Sequence, residues 1–216
     1  MIDLHSHTLF SDGDLLPAEL ARRCEAAGYR ALAFTDHADA SCLEAVVRGL
    51  MKAAAELQPF YKMRLLPGVE ITHCPPGQIP SLVQAARRFG ARIVLVHGET
   101  LVEPVAPGTD RAAILAGADI IAHPGLITPE EAALAAQKKV RLEISARSGH
   151  SLSNGHVASV ARKAGAELVF GTDTHSPEDI CPREKALVIA QGAGLSAGEA
   201  EALLERGLQF FTGQAR

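Results

Sequence analysis

The sequence predicts an α/β fold in which seven parallel strands, alternating with helices, form a small closed or nearly closed (β/α) barrel. Short aliphatic runs alternate with longer Ala-rich segments of helical period, which is the pattern of repeated strand–helix units. The short runs are apolar throughout, as expected for strands of a parallel sheet that is buried on both faces. An open, doubly wound sheet is the alternative. In both architectures, functional residues gather beyond the carboxyl ends of the strands.

Seven strands are predicted, and each ends where polar residues begin. They span residues 2–4, 31–35, 64–71, 92–96, 119–122, 141–144 and 168–171. Helices are predicted between and after them, over residues 17–27, 41–58, 79–89, 111–116, 129–138, 154–164, 182–191 and 196–206. No linker or shift in composition divides the chain, so residues 1–216 are expected to form one domain.

Proline and glycine mark the ends of several of these helices. Proline suits the first turn of a helix, and a glutamate follows within that turn after Pro17, Pro129 and Pro182. Glycine is favoured just past the end of a helix, and glycines stand two or three residues before predicted strands at Gly28, Gly90, Gly117 and Gly165. These residues support the alternation of helices with strands.

Composition narrows the class of function. A formal charge of -4 offers no basic surface for nucleic acid, so no nucleic-acid partner is expected. The four cysteines stand singly without C-x-x-C spacing, which favours reduced thiols in a cytosolic protein. We expect no signal peptide, because the amino terminus leads directly into Asp3 and His5, and no membrane span, because no apolar run approaches about 20 residues. The predicted location is cytoplasmic, and the oligomeric state stays open.

The pair His5 and His7 is the most informative local motif. Two residues at i and i+2 of an extended segment point to the same side, so both imidazoles can bind one metal ion. The same kind of signal recurs after the later predicted strands, at Asp36-His37, Glu70, His97, His123 and Asp173-Thr174-His175. A single histidine in such a place is more often a core or capping residue. Six of nine histidines at equivalent places indicate a metal site.

The number of candidate ligands exceeds the four of a single tetrahedral site, which implies two or three ions. Imidazole and carboxylate ligands suit zinc, manganese or iron. Glu70 is the natural bridge, because a carboxylate has two oxygens and can bind two cations. His73, His150 and His156 fall outside the pattern. We expect His150, near the end of the sixth strand, to contact substrate, and the other two to lie on the surface.

The ordered motifs closely resemble those of the PHP family (polymerase and histidinol phosphatase). They are Asp3-Leu4-His5-Ser6-His7-Thr8, Ser11-Asp12-Gly13, Thr35-Asp36-His37, Gly68-Val69-Glu70, His97, His123-Pro124 and Gly171-Thr172-Asp173-Thr174-His175. The resemblance extends over nearly the whole chain. It implies a distorted seven-stranded (β/α) barrel with a trinuclear metal cleft at the carboxyl ends of the strands, usually catalysing phosphoester hydrolysis.

The resemblance also implies a ligand set for each of three divalent ions. The first ion would bind His5, His7, Glu70 and Asp173; the second Glu70, His97 and His123; the third Asp12, His37 and His175. Some members of the family have a histidine near the position of Asp12, and Thr172 stands where serine is commoner.

The chemistry expected of such a site is attack of a metal-bridged hydroxide on the phosphorus of a small phosphomonoester. The substrate class includes histidinol phosphate, nucleotides and sugar phosphates. Glu70, Asp173 and His175 are the predicted catalytic residues. Arginine matches phosphate oxygens with a planar fork, so Arg147 and Arg183 are expected to grip the phosphoryl group, with Ser11 and His150 as further substrate contacts. The irregular segment from 97 to 110 is expected to shape the pocket of the leaving group.

Three other functions stay open. An amidohydrolase-type enzyme also opens with H-x-H, but many of these bridge their metals through a carboxylated lysine, and none of the six lysines here ends a predicted strand. A phosphodiesterase acting on nucleic-acid ends is disfavoured by the negative charge and the lack of a basic, aromatic track. A metal-binding scaffold without turnover is the least favoured, because the ligand set is intact.

Overall fold

Consecutive strands pair in parallel to form the barrel. The computed structural model describes residues 1–211. The strands are β1 (Ile2–Asp3), β2 (Ala31–Phe34), β3 (His37–Ala38), β4 (Arg64–Ile71), β5 (Ile93–His97), β6 (Ile120–Ala122), β7 (Arg141–Ser145) and β8 (Leu168–Gly171). They are hydrogen-bonded in the order β1-β2-β4-β5-β6-β7-β8. The short strand β3, which two residues separate from the end of β2, also pairs with β4. Each predicted strand agrees with the structure to within one residue at either end.

The first and last strands meet at their carboxyl ends. Ser6 and Thr174 form an isolated parallel bridge. The amide of Asp173 donates to the His5 carbonyl at 2.9 Å, and the amide of His7 donates to the Thr174 carbonyl at 2.8 Å. These bonds confirm the predicted nearly closed barrel of seven parallel strands and exclude the open sheet.

The helices surround the sheet. They are α1 (Pro17–Ala26), α2 (Leu43–Leu57), α3 (Ile79–Phe89), α4 (Thr109–Ala116), α5 (Pro129–Lys138), α6 (Asn154–Ala164), α7 (Arg183–Gly192), α8 (Ala197–Glu205) and α9 (Leu208–Phe211). The predicted bounds of α1 to α8 agree to within two residues. Short 3-10 helices at Gln58–Phe60, His150–Ser153 and Pro177–Asp179 were not predicted, nor was α9, because such short elements have no hydrophobic period. Over residues 1–211, every helix is too short or too polar to cross a membrane.

The interior of the barrel is apolar at one end and polar at the other. Side chains from β1, β2, β4, β5, β6 and β8 form an inner cluster, which Phe210 and Phe211 of α9 join. Both phenylalanines also line a surface groove with Arg64 and Arg92, which lie at the amino ends of β4 and β5. The inner apolar cluster therefore fills the amino end of the barrel. Polar side chains are left to occupy the carboxyl end.

Candidate metal centre

All nine predicted ligands lie together at the carboxyl end of the barrel, where six of them line a cavity of about 540 Å³ and His5, His7 and Glu70 are fully buried. They lie in β3, at the carboxyl ends of β4 and β5, or in the segments that follow β1, β6 and β8: His5, His7, Asp12, His37, Glu70, His97, His123, Asp173 and His175. The grouping follows from the parallel sheet, because all of its strands present their carboxyl ends at the same edge.

Glu70 is the buried centre of this group. It is fully buried at the end of β4, and its Oε2 lies 3.4 Å from His5 Nε2 and 3.6 Å from His7 Nε2. Its other oxygen, Oε1, lies 3.7 Å from His123 Nε2. Burial alone would raise the pKa of Glu70, but the nearby His5 and His37 imidazoles hold that pKa well below its usual range. Its two oxygens thus face different sets of imidazoles, as a bridging ligand requires.

Several buried polar atoms at this centre have no hydrogen-bond partner. Both oxygens of Glu70 and Oδ1 of Asp173 are among them. His37 Nδ1 lies 2.7 Å from Glu70 Oε2, but the same nitrogen also lies 2.6 Å from Thr72 Oγ1. Leaving such a group unpaired in the interior costs about 1–3 kcal/mol, more when it is charged. Cations among these atoms would satisfy them, so the residues fit a metal centre.

The ring nitrogens point to the same conclusion. His5 Nε2 and His7 Nε2 are 3.0 Å apart, a contact that requires a proton or a cation between two lone pairs. Burial, and next the neighbouring imidazoles, hold the pKa values of His7 and His123 well below the ordinary range. Both are therefore neutral, which is the form of histidine that binds metal.

Five clusters of candidate ligand atoms can be compared with the implied ligand sets. In each cluster that follows, one ligand atom per residue lies within 4.8 Å of the others. The clusters are His5-His7-Glu70, His5-His123-Asp173, His7-Asp12-His37-His175, His97-His123-His150 and His73-His97-Glu103. The first two clusters together contain the set expected for the first ion, with His123 in addition, and the third contains the set expected for the third ion. The set expected for the second ion is divided, because His97 and His123 cluster with His150, while Glu70 Oε1 lies 3.7 Å from His123 Nε2.

Asp12 lies at the exposed rim of the third set. Its Oδ1 is 3.3 Å from His175 Nε2 and 3.6 Å from His37 Nε2. Partial burial disfavours its charge, yet the bond to His175 and the charge of His37 lower the pKa of Asp12 to about 2. Ser11 lines the same side of the cavity, where its hydroxyl donates to Asp36 Oδ1 at 2.9 Å. Ser11 thus lines the cavity, as a substrate contact would, while its hydroxyl hydrogen is donated to Asp36.

Glu143, in β7, contacts two of the predicted ligands. The sequence analysis did not identify it, because the sixth predicted strand ends without a histidine. Its Oε1 lies 2.7 Å from His5 Nδ1, and its Oε2 accepts the His123 amide at 2.8 Å. A carboxylate on the far ring nitrogen sets the tautomer of a metal-binding histidine and turns its other nitrogen towards the ion. The signal that could have identified Glu143 is its position as a lone acidic residue between apolar residues of a predicted strand.

The two predicted arginines have different places. Arg147 lines the cavity and is about one-third exposed. Its Nη1 donates to the Asp173 carbonyl at 3.1 Å. Arg183 instead pairs with Glu201 and lies 3.8 Å from Glu205, which also contacts the amino terminus at Met1. Arg183 is therefore near the amino end of β1, away from the cleft, and the expectation of a phosphate contact there is corrected.

His150 lies inside the cleft wall. Its ring stacks on His123 at 3.9 Å between centroids with 12° between the planes. The in-plane lone pairs of two parallel rings run side by side rather than towards one point, so these two residues are poorly arranged to share an ion. His150 Nδ1 is 2.6 Å from Thr100 Oγ1, which leaves Nε2 facing the cavity. This geometry suits the predicted substrate contact.

Of the other two histidines, both predicted to lie on the surface, His73 is exposed and His156 is half-buried. His73 is 40% exposed but lines the cleft, where its Nε2 lies 3.0 Å from Glu103 Oε2. His156 is half-buried, and its Nε2 hydrogen-bonds the Ile127 carbonyl at 2.8 Å. His73 has a positive φ of 51°, as do His123 (31°) and Asp173 (55°). Such strained backbone outside glycine concentrates at functional sites.

Comparison with known sequences identifies relatives. The sequence pattern that defines the PHP domain matches residues 3–151, a segment that stops before Asp173 and His175. An uncharacterised protein of Methanocaldococcus jannaschii is 44% identical over 201 residues, which cover 92% of each chain. DNA polymerase/3'-5' exonuclease PolX of Bacillus subtilis is 27% identical over 82% of this chain, and that match spans about a third (34%) of PolX.

Comparison with solved structures identifies the fold. Histidinol phosphate phosphatase of Lactococcus lactis, complexed with zinc, L-histidinol and phosphate, superposes with a TM-score of 0.60 at 19% identity, covering 90% of this chain and 94% of the other. A structure described as an amidohydrolase gives a TM-score of 0.61 at 15% identity, covering 94% of this chain and 71% of the other. At these identities the likeness establishes a shared barrel fold.

Proposed function

The chain belongs to the PHP domain family, and we propose that it is a metal-dependent phosphatase that hydrolyses a small phosphomonoester. The observation that carries the proposal is the ring of imidazoles and carboxylates around Glu70, with Arg147 at its edge. Histidinol phosphate, a nucleotide or a sugar phosphate are candidate substrates.

The proposed centre holds two or three divalent ions of zinc, manganese or iron, which suit its mixture of nitrogen and oxygen ligands. When bound, such ions supply Lewis acidity towards the phosphoryl oxygens and lower the pKa of bound water. The proposed ligands are His5, His7, Glu70 and Asp173 for the first ion, Glu70, His97 and His123 for the second, and Asp12, His37 and His175 for the third.

The protein's own groups have separate proposed roles. Glu70 holds the first two positions at a fixed separation, because one oxygen faces His5 and the other faces His123. Asp173 lies between His7, at 3.2 Å, and Arg147, at 3.7 Å, and so links the ligands to the phosphate-binding side of the cleft. His175 Nδ1 lies 2.8 Å from Arg147 Nη1 and 2.9 Å from the Asp173 carbonyl, and these contacts turn its Nε2 towards Asp12.

The walls of the cavity favour a small anionic substrate over a nucleic acid. Among the residues that line it, all in the described part of the chain, Arg147 is the one lysine or arginine. A polynucleotide requires a track of several cations along its backbone. One guanidinium beside the metal ligands instead suits a single phosphoryl group.

The amidohydrolase alternative has less support from the site. None of the six lysines, all of which are described, lines the cleft, so a carboxylated lysine has no place there. The exonuclease alternative has support from the similarity to PolX, but the match covers only about a third (34%) of the PolX sequence.

The test is release of inorganic phosphate from a panel of phosphomonoesters, using protein purified without chelator and supplied with manganese or zinc. We expect release that is lost in the Glu70→Gln variant run in parallel. No release from protein that carries at least two ions per chain would reject the proposal. Assays with phosphodiester and amide substrates would then decide between the alternatives.

Replacing Arg147 with alanine is expected to raise KM for the preferred phosphomonoester about 10-fold or more, because a charge-assisted hydrogen bond contributes about 1.5–3 kcal/mol. Arg147→Lys should recover part of this effect, since lysine keeps the charge without the planar fork. Steady-state kinetics measure both. Arg183→Ala, the same change outside the cleft, is the control. Equal KM values for Arg147→Ala and Arg183→Ala would contradict the assignment.

A further inference from the structure

The loop between β5 and α4 has a defined conformation above the cleft. Glu99 Oε1 accepts the amides of Gly108, at 2.9 Å, and Asp110, at 3.2 Å. The Glu99 amide in turn donates to Asp110 Oδ1 at 3.0 Å. These bonds join the start of the loop to the start of α4, while the Thr100 hydroxyl lies 2.6 Å from His150. Residues between 100 and 108 are therefore positioned by contacts at both ends.

This loop carries a carboxylate into the cleft. Glu103 Oε2 lies 3.0 Å from His73 Nε2 and 3.1 Å from His97 Nε2. Its other oxygen lies 3.4 Å from His150 Nε2. Glu103 belongs to none of the ligand sets implied by the family motifs. It nonetheless contacts more imidazole nitrogens than Asp12 does, although its side chain is 37% exposed.

The contact between His97 and Glu103 calls for a positive charge between the two atoms. His97 Nδ1 is 3.2 Å from the Gly98 carbonyl, which can only accept, so the ring hydrogen lies on Nδ1. Glu103 Oε2 can only accept, so His97 Nε2, 3.1 Å away, either carries a second ring proton or shares a cation with that oxygen. A divalent cation bound to both atoms is the solution that the clustering of three ligand atoms favours. It also draws in His73, whose Nε2 faces the same oxygen.

We propose that His73 and Glu103 are metal ligands, which together with His97 hold a divalent cation at the mouth of the cleft. One ligand atom from each of the three residues lies within 4.8 Å of the others, as donors around one ion do. Two imidazoles and a carboxylate suit zinc, manganese or iron. His97 has one nitrogen facing the cleft and can bind one ion only, so this cation is the second ion of the proposed centre, to which His73 and Glu103 add ligands.

The backbone of His73 is consistent with this role. Its φ of 51° is in the left-handed region, which a residue with a side chain rarely adopts without a compensating interaction. The predicted ligands His123 and Asp173 share this feature. The fourth such residue, Lys139, simply ends helix α5.

The proposal is tested by metal binding, so its outcome does not depend on phosphatase activity. Wild type, Glu103→Gln, His73→Gln and Glu178→Gln are stripped with chelator and titrated calorimetrically with zinc or manganese. Bound metal per chain is then measured after desalting against a competing chelator. Glu178 is the matched control, because it is an exposed glutamate that lines no part of the cleft.

We expect one class of sites to weaken at least about 10-fold in both Glu103→Gln and His73→Gln, with Glu178→Gln equal to wild type. Thermal unfolding of the metal-free proteins checks that the variants fold equally well. Unchanged affinity and stoichiometry in Glu103→Gln would overturn the proposal and leave Glu103 as an ion-pair partner of the cleft histidines. A protein that binds metal as expected but releases no phosphate would reject the proposed function while supporting these two ligands.

Discussion

Replacing Glu70 with glutamine is expected to reduce phosphate release at least about 100-fold, because even the partners that support a ligand contribute 10–100-fold to metal affinity or activity. The amide is almost isosteric with the carboxylate but carries no charge. Its NH2 group would also place a donor opposite His5 or His123, where the carboxylate offered acceptors.

Metal content should fall with activity, because Glu70 is expected to serve two ions. We expect less than the wild-type number of ions per chain after desalting, with an unchanged circular dichroism spectrum. Glu56→Gln, on the exposed face of α2, provides the same chemical change away from the site. Wild-type turnover and metal content in Glu70→Gln would show that the barrel binds its ions elsewhere.

The fold could be predicted almost completely from the sequence, because its signals are local. Each strand of the barrel is a short apolar run, and prolines or glycines mark the ends of most helices. The element β3 was missed, since two residues such as His37–Ala38 carry no period. The strand ends pointed to eight of the nine candidate ligands, and the family resemblance added Asp12.

The errors in the site arose where tertiary packing decides. Arg183 begins α7 shortly after the predicted ligand His175, and the sequence therefore suggested a place in the cleft. The chain turns away first, however, because the Cys181 carbonyl accepts the Tyr29 hydroxyl at 3.0 Å near the amino end of β2. Glu103 and His73 were missed for the opposite reason. They lie 30 residues apart in irregular segments and meet only in the folded protein.

Gly171→Ala is expected to impair the site without changing any polar group. Gly171 ends β8, and a Cβ added there would lie 1.9 Å from Glu143 Oε1 and 2.8 Å from the Cβ of His5. Overpacking of this kind typically costs about 1–3 kcal/mol. The free energy of unfolding should fall accordingly, which denaturant titration of the metal-free protein would measure.

Metal affinity should fall as well, because the added methyl group occupies the place of the Glu143 carboxylate. Once displaced, that carboxylate can no longer bond His5 Nδ1 or the His123 amide. We expect a loss of about 10–100-fold, the usual effect of removing a supporting carboxylate. Gly155→Ala, in α6, is the matched control, since nothing lies within 4 Å of its added Cβ.

The variant Glu143→Gln separates the two consequences of the Gly171 change. It should weaken metal binding to a similar degree while costing less stability, because it adds no volume. If the added methyl acts through Glu143, combining the two changes should weaken metal binding little further than Gly171→Ala alone, since the two act on one interaction. Fully additive losses would mean that Gly171→Ala acts instead through His5, whose Cβ is the other close neighbour.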